Sequence, residues 1–119
     1  MNFELILKFY AFCSKYGKLV PEEEIKTLPL TEVTNIYSDW FSNDMGVDFD
    51  LYLSSCEDGT APRYFLRSFD RDWYGGFSTN DTTEWYEITK EAYTALRDKK
   101  HEWIEELIKE PMKDITGGE

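Results

Sequence analysis

Two pairs of aspartates have the residue type and the spacing that chemistry could use. Asp48 and Asp50 form one pair, and Asp70 and Asp72 form the other. On a β-strand, residues two positions apart point to the same face and lie roughly 7 Å apart, because each residue adds roughly 3.3 Å. That separation is compatible with divalent-ion or glycosidase-type chemistry. A metal-dependent hydrolase that uses the four aspartates is therefore one hypothesis.

The other chemical motifs point away from catalysis. His101 is the only histidine, and with Glu105 it provides only two of the three or four ligands that a zinc site needs. No serine or cysteine is marked as a nucleophile paired with that imidazole. The glycines lack the spacing of a dinucleotide-binding or P-loop motif. The leading prediction therefore includes no catalytic residue, no metal site and no cofactor.

The stretch from Val47 to Ile88 combines aromatic and acidic side chains. It holds ten of the twenty aromatic residues, and nine acidic residues against three arginines. Trp and Tyr anchor protein interfaces because they bury a large area while satisfying a polar tip, and aspartates around them select basic partners. The predicted partner-binding residues are Asp48, Asp50, Tyr52, Asp70, Asp72, Trp73 and Tyr74.

The formal net charge of −11 over 119 residues narrows the choice of partner. Such a surface repels phosphate backbones and anionic membranes and attracts basic proteins. We expect a non-enzymatic acidic domain that docks on a basic protein, with nucleic-acid-binding proteins among the candidates. A small inhibitor or a nucleic-acid mimic would fit, a role found in immunity proteins and phage counter-defence proteins. The plain alternative is that the acids only solubilise the surface, and the oligomeric state stays open.

Length and hydrophobic periodicity predict one acidic α+β domain over residues 1–119. Strict alternation of apolar and polar residues makes 47–53 the best-defined strand, with Val47, Phe49, Leu51 and Leu53 facing the core. The predicted helices are 2–16, a short one at 21–28, 32–42 and a long C-terminal one at 90–110. The predicted strands, forming a small three-stranded antiparallel meander, are 47–53, 63–69 and 84–88. Residues 112–119 are expected to be a frayed tail.

The helix over 32–42 is predicted from one periodic set of apolar residues. Spacings of three and four residues are typical of an amphipathic helix, and Thr31 is a suitable N-cap. The residues at this spacing are Val33, Ile36, Tyr37, Trp40 and Phe41.

Two segments resemble parts of winged-helix proteins. Leu19 to Phe41 is similar to a helix-turn-helix, and Trp85 to Leu96 resembles the last wing strand running into a closing helix. The resemblance implies a regulator or adaptor that contacts nucleic acid or protein through Thr31 to Phe41. Because that helix would carry Glu32 and Asp39 and no basic residue, it is a poor reader of DNA.

The sequence favours a cytoplasmic protein, in the host cytoplasm if the source is viral. The N-terminal apolar run is interrupted by Glu4 and Lys8, and no stretch approaches the length of a membrane span. Cys13 and Cys56 are too few for a disulfide scaffold.

Overall fold

The computed structural model describes residues 2–42, 45–55, 61–71 and 81–109, the last two residues without their side chains. The elements within these ranges are α1 (Phe3–Tyr16), β1 (Lys18–Val20), α2 (Glu22–Ile25), β2 (Leu30–Ser42), β3 (Met45–Ser54), β4 (Arg63–Arg71), β5 (Asp81–Ile88), α3 (Lys90–Lys99) and α4 (His101–Lys109). The five strands form one antiparallel sheet in the order β1-β5-β4-β3-β2. The fold is α+β.

The core lies between α1, α3, α4 and one face of the sheet, which we call the helix face. Asn2 begins α1 by accepting a hydrogen bond from the Leu5 backbone N–H at 3.1 Å. Phe9 of α1 then stacks on Phe49 of β3, with ring centroids 4.3 Å apart. Burial of such a side chain contributes roughly 1.5–3 kcal/mol. Other buried residues here are Ile6, Phe12, Val47, Leu51, Leu66, Leu96 and Ile104.

The opposite face of the sheet, the open face, is covered at one end only among the described residues. There α2 and the chain beside it bury Val20, Ile25 and Phe65 in a second, smaller apolar cluster. Asp48 and Tyr52 lie on this face further along β3, where both are half-buried. Asp48 and Tyr52 are therefore partly accessible to another molecule.

The helix predicted over 32–42 is wrong, because this segment is the edge strand β2. The pairing of β2 with β3 shifts register three times, at Val33, Ile36 and Phe41. Each such bulge adds one residue and changes which side of the strand the following residues face. Val33, Ile36 and Tyr37 consequently all pack on the core, and their spacing imitates that of a helix.

The helix-turn-helix expected over Leu19 to Phe41 does not form. That range holds the end of β1, the four-residue helix α2 and nearly all of β2. The short helix predicted over 21–28 is reduced to α2, and Leu30 already belongs to the sheet.

The three-stranded meander is also wrong, because the sheet has five strands. The three predicted strands form, each longer than expected, as β3, β4 and β5. The sheet gains β2 on one edge and β1 on the other, where Val20 pairs with Trp85. Three residues are too few for alternation to show in a sequence, so β1 is defined by its pairing with β5.

The prediction of one long C-terminal helix is wrong as well, because the chain forms two separate short helices there, α3 and α4. Lys100 lies between them with φ 53° and ψ −136°, which breaks the helical backbone. The break redirects the chain: Tyr93 of α3 packs on Tyr64 of β4, whereas Trp103 of α4 packs on Phe12 of α1. Among the described helices, none combines the length and apolarity needed to cross a membrane. The predicted tail, 112–119, lies outside the described residues.

Candidate functional site

The register of the sheet places aromatic and charged side chains in rows across the open face. Residues paired in an antiparallel sheet point to the same side, so each row is a set of neighbours. The central row is Asn35, Asp50, Arg67, Trp85 and Val20. The row on one side of it is Glu32, Tyr52, Phe65, Glu87 and Lys18, and the row on the other side is Ser38, Asp48, Phe69 and Thr83.

Asp50 and Arg67 form a close ion pair at the centre of the open face. Arg67 Nη2 lies 2.6 Å from Asp50 Oδ2, and Asn35 Nδ2 donates to Asp50 Oδ1 at 2.8 Å. The guanidinium lies 5.4 Å from the ring centroid of Tyr52 and 6.0 Å from that of Trp85. Burial alone would lower the pKa of Arg67, but the hydrogen bond to Asp50 and the surrounding negative charges raise it overall. The charge of Asp50, which is only 5% exposed, is therefore matched within the protein.

Asp48 lies in a different environment one row away. Its Oδ1 accepts hydrogen bonds from Ser38 Oγ at 2.5 Å and from Trp40 Nε1 at 3.1 Å. The Trp40 ring rests against the backbone of Gly46, where a Cβ would come within 2.6 Å of Trp40 Cγ. The centroid of the Trp40 ring is 6.3 Å from that of Phe69. We call Asp48, Ser38, Trp40 and Phe69 the Asp48 cluster.

Tyr52 joins the aromatic and acidic parts of the face. Its ring meets Trp85 edge to face at 4.8 Å, and its hydroxyl donates to Glu32 Oε1 at 3.2 Å. Burial is the main cause that raises the pKa of Tyr52, so the hydroxyl stays protonated as a donor at neutral pH.

The arginines of β4 are each paired with acids on the open face. Arg63 binds Glu87 at 2.8 Å and Glu24 at 2.9 Å, and Arg71 binds Asp81 at 2.7 Å. Together with the Asp50 pair, these contacts place three arginines against four carboxylates. Glu32 and Asp48, by contrast, form no ion pair within the described ranges.

Asp70 lies on the helix face, away from Asp48 and Asp50. It is 8% exposed and accepts a hydrogen bond from Tyr10 Oη of α1 at 3.0 Å, while Ser68 Oγ donates to the same hydroxyl at 3.2 Å. Burial raises the pKa of Asp70, the bond from Tyr10 opposes that rise, and the nearby carboxylates of Glu84 and Asp81 add to it. Asp70 therefore belongs to the packing of α1 on the sheet.

The structure divides the predicted site residues between two faces. Asp48, Asp50 and Tyr52 share the open face, Asp70 lies behind it, and Asp72, Trp73 and Tyr74 lie outside the described residues. Within the described ranges, no group of three or more histidine, cysteine, aspartate or glutamate side chains is placed to hold a metal ion. The described aspartates of the hydrolase hypothesis thus do not converge on one site.

Comparison with known proteins adds nothing to this picture. No family model, curated protein or solved structure matches the chain significantly. The function has to be inferred from the site's own residues.

Sequence reasoning missed several residues that shape the open face. Arg67 and Phe69 could be placed only after the strands were paired, because β4 carries aromatic residues on both faces and residues 63, 65, 67 and 69 share the face of Asp48 through its register with β3. Trp40 and Glu32 were hidden by the assignment of their segment to a helix.

Proposed function

We propose that the protein is a non-enzymatic binding domain that docks on a basic protein surface through the open face of its sheet. The observation that carries the proposal is the position of Glu32 and Asp48, two carboxylates without an ion-pair partner in the described ranges, among the half-buried or exposed rings of Trp40, Tyr52 and Phe69. Aromatic side chains at an interface supply most of the affinity, and charged groups around them set the partner's sign.

The overall charge supports a basic partner. At a net charge of −11, long-range attraction speeds encounter with a positively charged protein and slows encounter with nucleic acid. Proteins that bind nucleic acid carry basic surface patches, so they are the partner class we propose. The protein would occupy such a patch as an inhibitor or a nucleic-acid mimic, in the manner of immunity or phage counter-defence proteins, in a reducing cytoplasm.

A capture experiment followed by a binding measurement tests the proposal. Tagged protein is incubated with nuclease-treated lysate of the source cell or its host and washed over a salt series. A basic protein retained in stoichiometric amount is purified and titrated by calorimetry. Glu32→Lys combined with Tyr52→Ala is expected to weaken its binding about a hundredfold, as for loss of a hot spot worth about 2–3 kcal/mol.

The matched control changes the helix side of the molecule by the same charge. Glu102→Lys with Leu7→Ala alters an exposed acid on α4 and an exposed apolar residue on α1. This variant should keep the wild-type affinity within about threefold. Equal weakening by both double variants would mean that only net charge matters, and failure to retain any basic protein would refute the proposal.

A further inference from the structure

We infer that the Asp48 cluster is a recognition site for a single arginine side chain of the partner protein. The inference rests on the proposed function and adds the chemical group that the open face recognises. It starts from a repetition within the sheet: the groups that surround Arg67 occur a second time around Asp48, whose carboxylate makes no ion pair within the described residues. Arg71, in the next row of the same face, binds Asp81.

The first set shows how this sheet holds a guanidinium. Asp50 provides the carboxylate at 2.6 Å, and the rings of Tyr52 and Trp85 lie 5.4 and 6.0 Å from the guanidinium carbon of Arg67. A cation within about 6 Å of a ring centroid is attracted by the ring's electron density, and a planar guanidinium can also stack on it.

The second set has the same chemistry on the same face. Asp48 provides the carboxylate, and Trp40 and Phe69 provide two rings with centroids 6.3 Å apart. Phe69 is paired directly with Asp48 in the register of β3 and β4, so its ring stands beside the carboxylate. Trp40 is 37% exposed, which leaves its ring open to a ligand.

The carboxylate of Asp48 is also fixed in orientation by its hydrogen bonds. Ser38 and Trp40 both donate to Oδ1, and within the described residues no group donates to Oδ2. Both donors are neutral, so they orient the carboxylate without cancelling its charge. A site that is already oriented loses less conformational entropy when it binds. A guanidinium N–H that approaches Oδ2 would bind the carboxylate while its plane lies against a ring.

Peptide titrations followed by NMR test this site without a known partner. The probe is the pentapeptide Gly-Gly-Arg-Gly-Gly with blocked termini, and its counterparts carry lysine or norleucine in place of arginine. The signal is the indole N–H of Trp40, assigned by its loss in Trp40→Phe. The arginine peptide should shift this signal saturably and bind at least about threefold more tightly than the lysine peptide, because only guanidinium stacks.

Three variants locate the binding energy. Asp48→Asn keeps the side-chain shape and should weaken the arginine peptide about tenfold, and Phe69→Leu should weaken it about threefold. Asp98→Asn, a matched change at an exposed aspartate of α3, should have no effect. The folded state of each variant is checked by its amide spectrum.

Several results would overturn the inference. An equal shift with the norleucine peptide would show that only apolar contact is made. Equal affinity for the lysine peptide would show a charge site that does not distinguish arginine from lysine, and unchanged binding by Asp48→Asn would show that the Asp48 carboxylate takes no part.

The arginine site and the open-face interface can also be refuted independently of each other. If the captured partner is sensitive to the Glu32 and Tyr52 changes but not to Asp48→Asn, the arginine site is wrong and the open-face interface stands. If the arginine peptide binds as expected but the partner binds the Glu32→Lys, Tyr52→Ala variant and the Asp48→Asn variant as tightly as the wild type, the interface proposal is wrong.

Discussion

Asp50 and Arg67 face each other across β3 and β4, and their closest side-chain atoms are 2.6 Å apart. The two residues differ in their access to solvent: the Asp50 side chain is 7% exposed and that of Arg67 is 30% exposed. The arginine therefore shields the aspartate from solvent, and loss of the arginine alone would leave a buried carboxylate without its ion-pair partner.

Removal of the arginine alone should be costly. In Arg67→Met, Asn35 is the hydrogen-bond donor that remains for Asp50 among the described residues. We expect the free energy of unfolding to fall by about 1–3 kcal/mol. The loss is smaller than for a fully buried pair because Arg67 is partly exposed. Adding Asp50→Asn removes the stranded charge and should restore at least half of the loss. Urea denaturation of the wild type, the single variant and the double variant gives the comparison. A double variant as unstable as Arg67→Met would show that lost packing, and not unpaired charge, is responsible.

Gly46→Ala should disturb Trp40. The added methyl group would come within 2.6 Å of Trp40 Cγ, so the indole must leave its position and lose its hydrogen bond to Asp48. Because the ring can move into solvent, we expect a cost of only about 1–2 kcal/mol in unfolding free energy. The NMR shift of the Trp40 indole N–H should move towards that of an exposed tryptophan. An unchanged shift would mean that the ring does not rest on Gly46 in solution.

Asp70 should make stability depend on pH in a predictable direction. Its pKa is raised in the folded protein above the ordinary value of 3.8, chiefly by burial, so the folded state binds the proton more tightly than the unfolded chain. The stability that Asp70 contributes is full below its ordinary pKa and is lost as the pH rises through the raised value.

Asp70→Asn removes that dependence. The amide oxygen can still accept the Tyr10 hydroxyl, and no charge is buried. We therefore expect the variant to be more stable than the wild type at pH 7, with the difference shrinking as the pH falls towards 3. Urea midpoints across this range measure it, with Asp98→Asn as the exposed control. If Asp70→Asn proves less stable at pH 7, the hydrogen bond from Tyr10 to a charged carboxylate outweighs the cost of burial.

Replacement of Lys100 by glycine should stabilise the protein. Its φ of 53° is uncommon for a residue with a Cβ and free of strain for glycine. Lys100→Gly is expected to raise the unfolding free energy by about 1 kcal/mol. Lys99→Gly, one residue earlier at the end of α3, should lower it by up to about 1 kcal/mol, because glycine is a poor helix former. Thermal and urea unfolding of both variants would reveal the sign, and a loss in both would show that the break is not strained.

Alternation was enough to predict β3, and two helix caps depend on equally local residues. Asn2 caps α1, Thr89 caps α3 through a 3.1 Å bond to the Ala92 N–H, and the strict alternation in β3 places Val47, Phe49 and Leu51 on the core. These features depend on neighbours within a few residues, so the sequence states them directly. The acidic character of the protein and the presence of aromatic residues near Asp48 are equally plain from the sequence.

Pairing between distant segments decided the rest. The bulges in β2 exist only because it pairs with β3. They allow Val33, Ile36 and Tyr37 all to pack on the core at a spacing that, in the sequence alone, is typical of a helix.

The same pairing decided the site. The sequence alone determined that aspartates two apart would share a face of a strand. Only the tertiary structure decided that Asp70 would lie beneath α1, that Arg67 would neutralise Asp50, and that Asp48 would stand beside Trp40 and Phe69. The physical reason is that side-chain burial and charge pairing depend on which strands are neighbours in the sheet, and that choice is made by the packing of the whole chain.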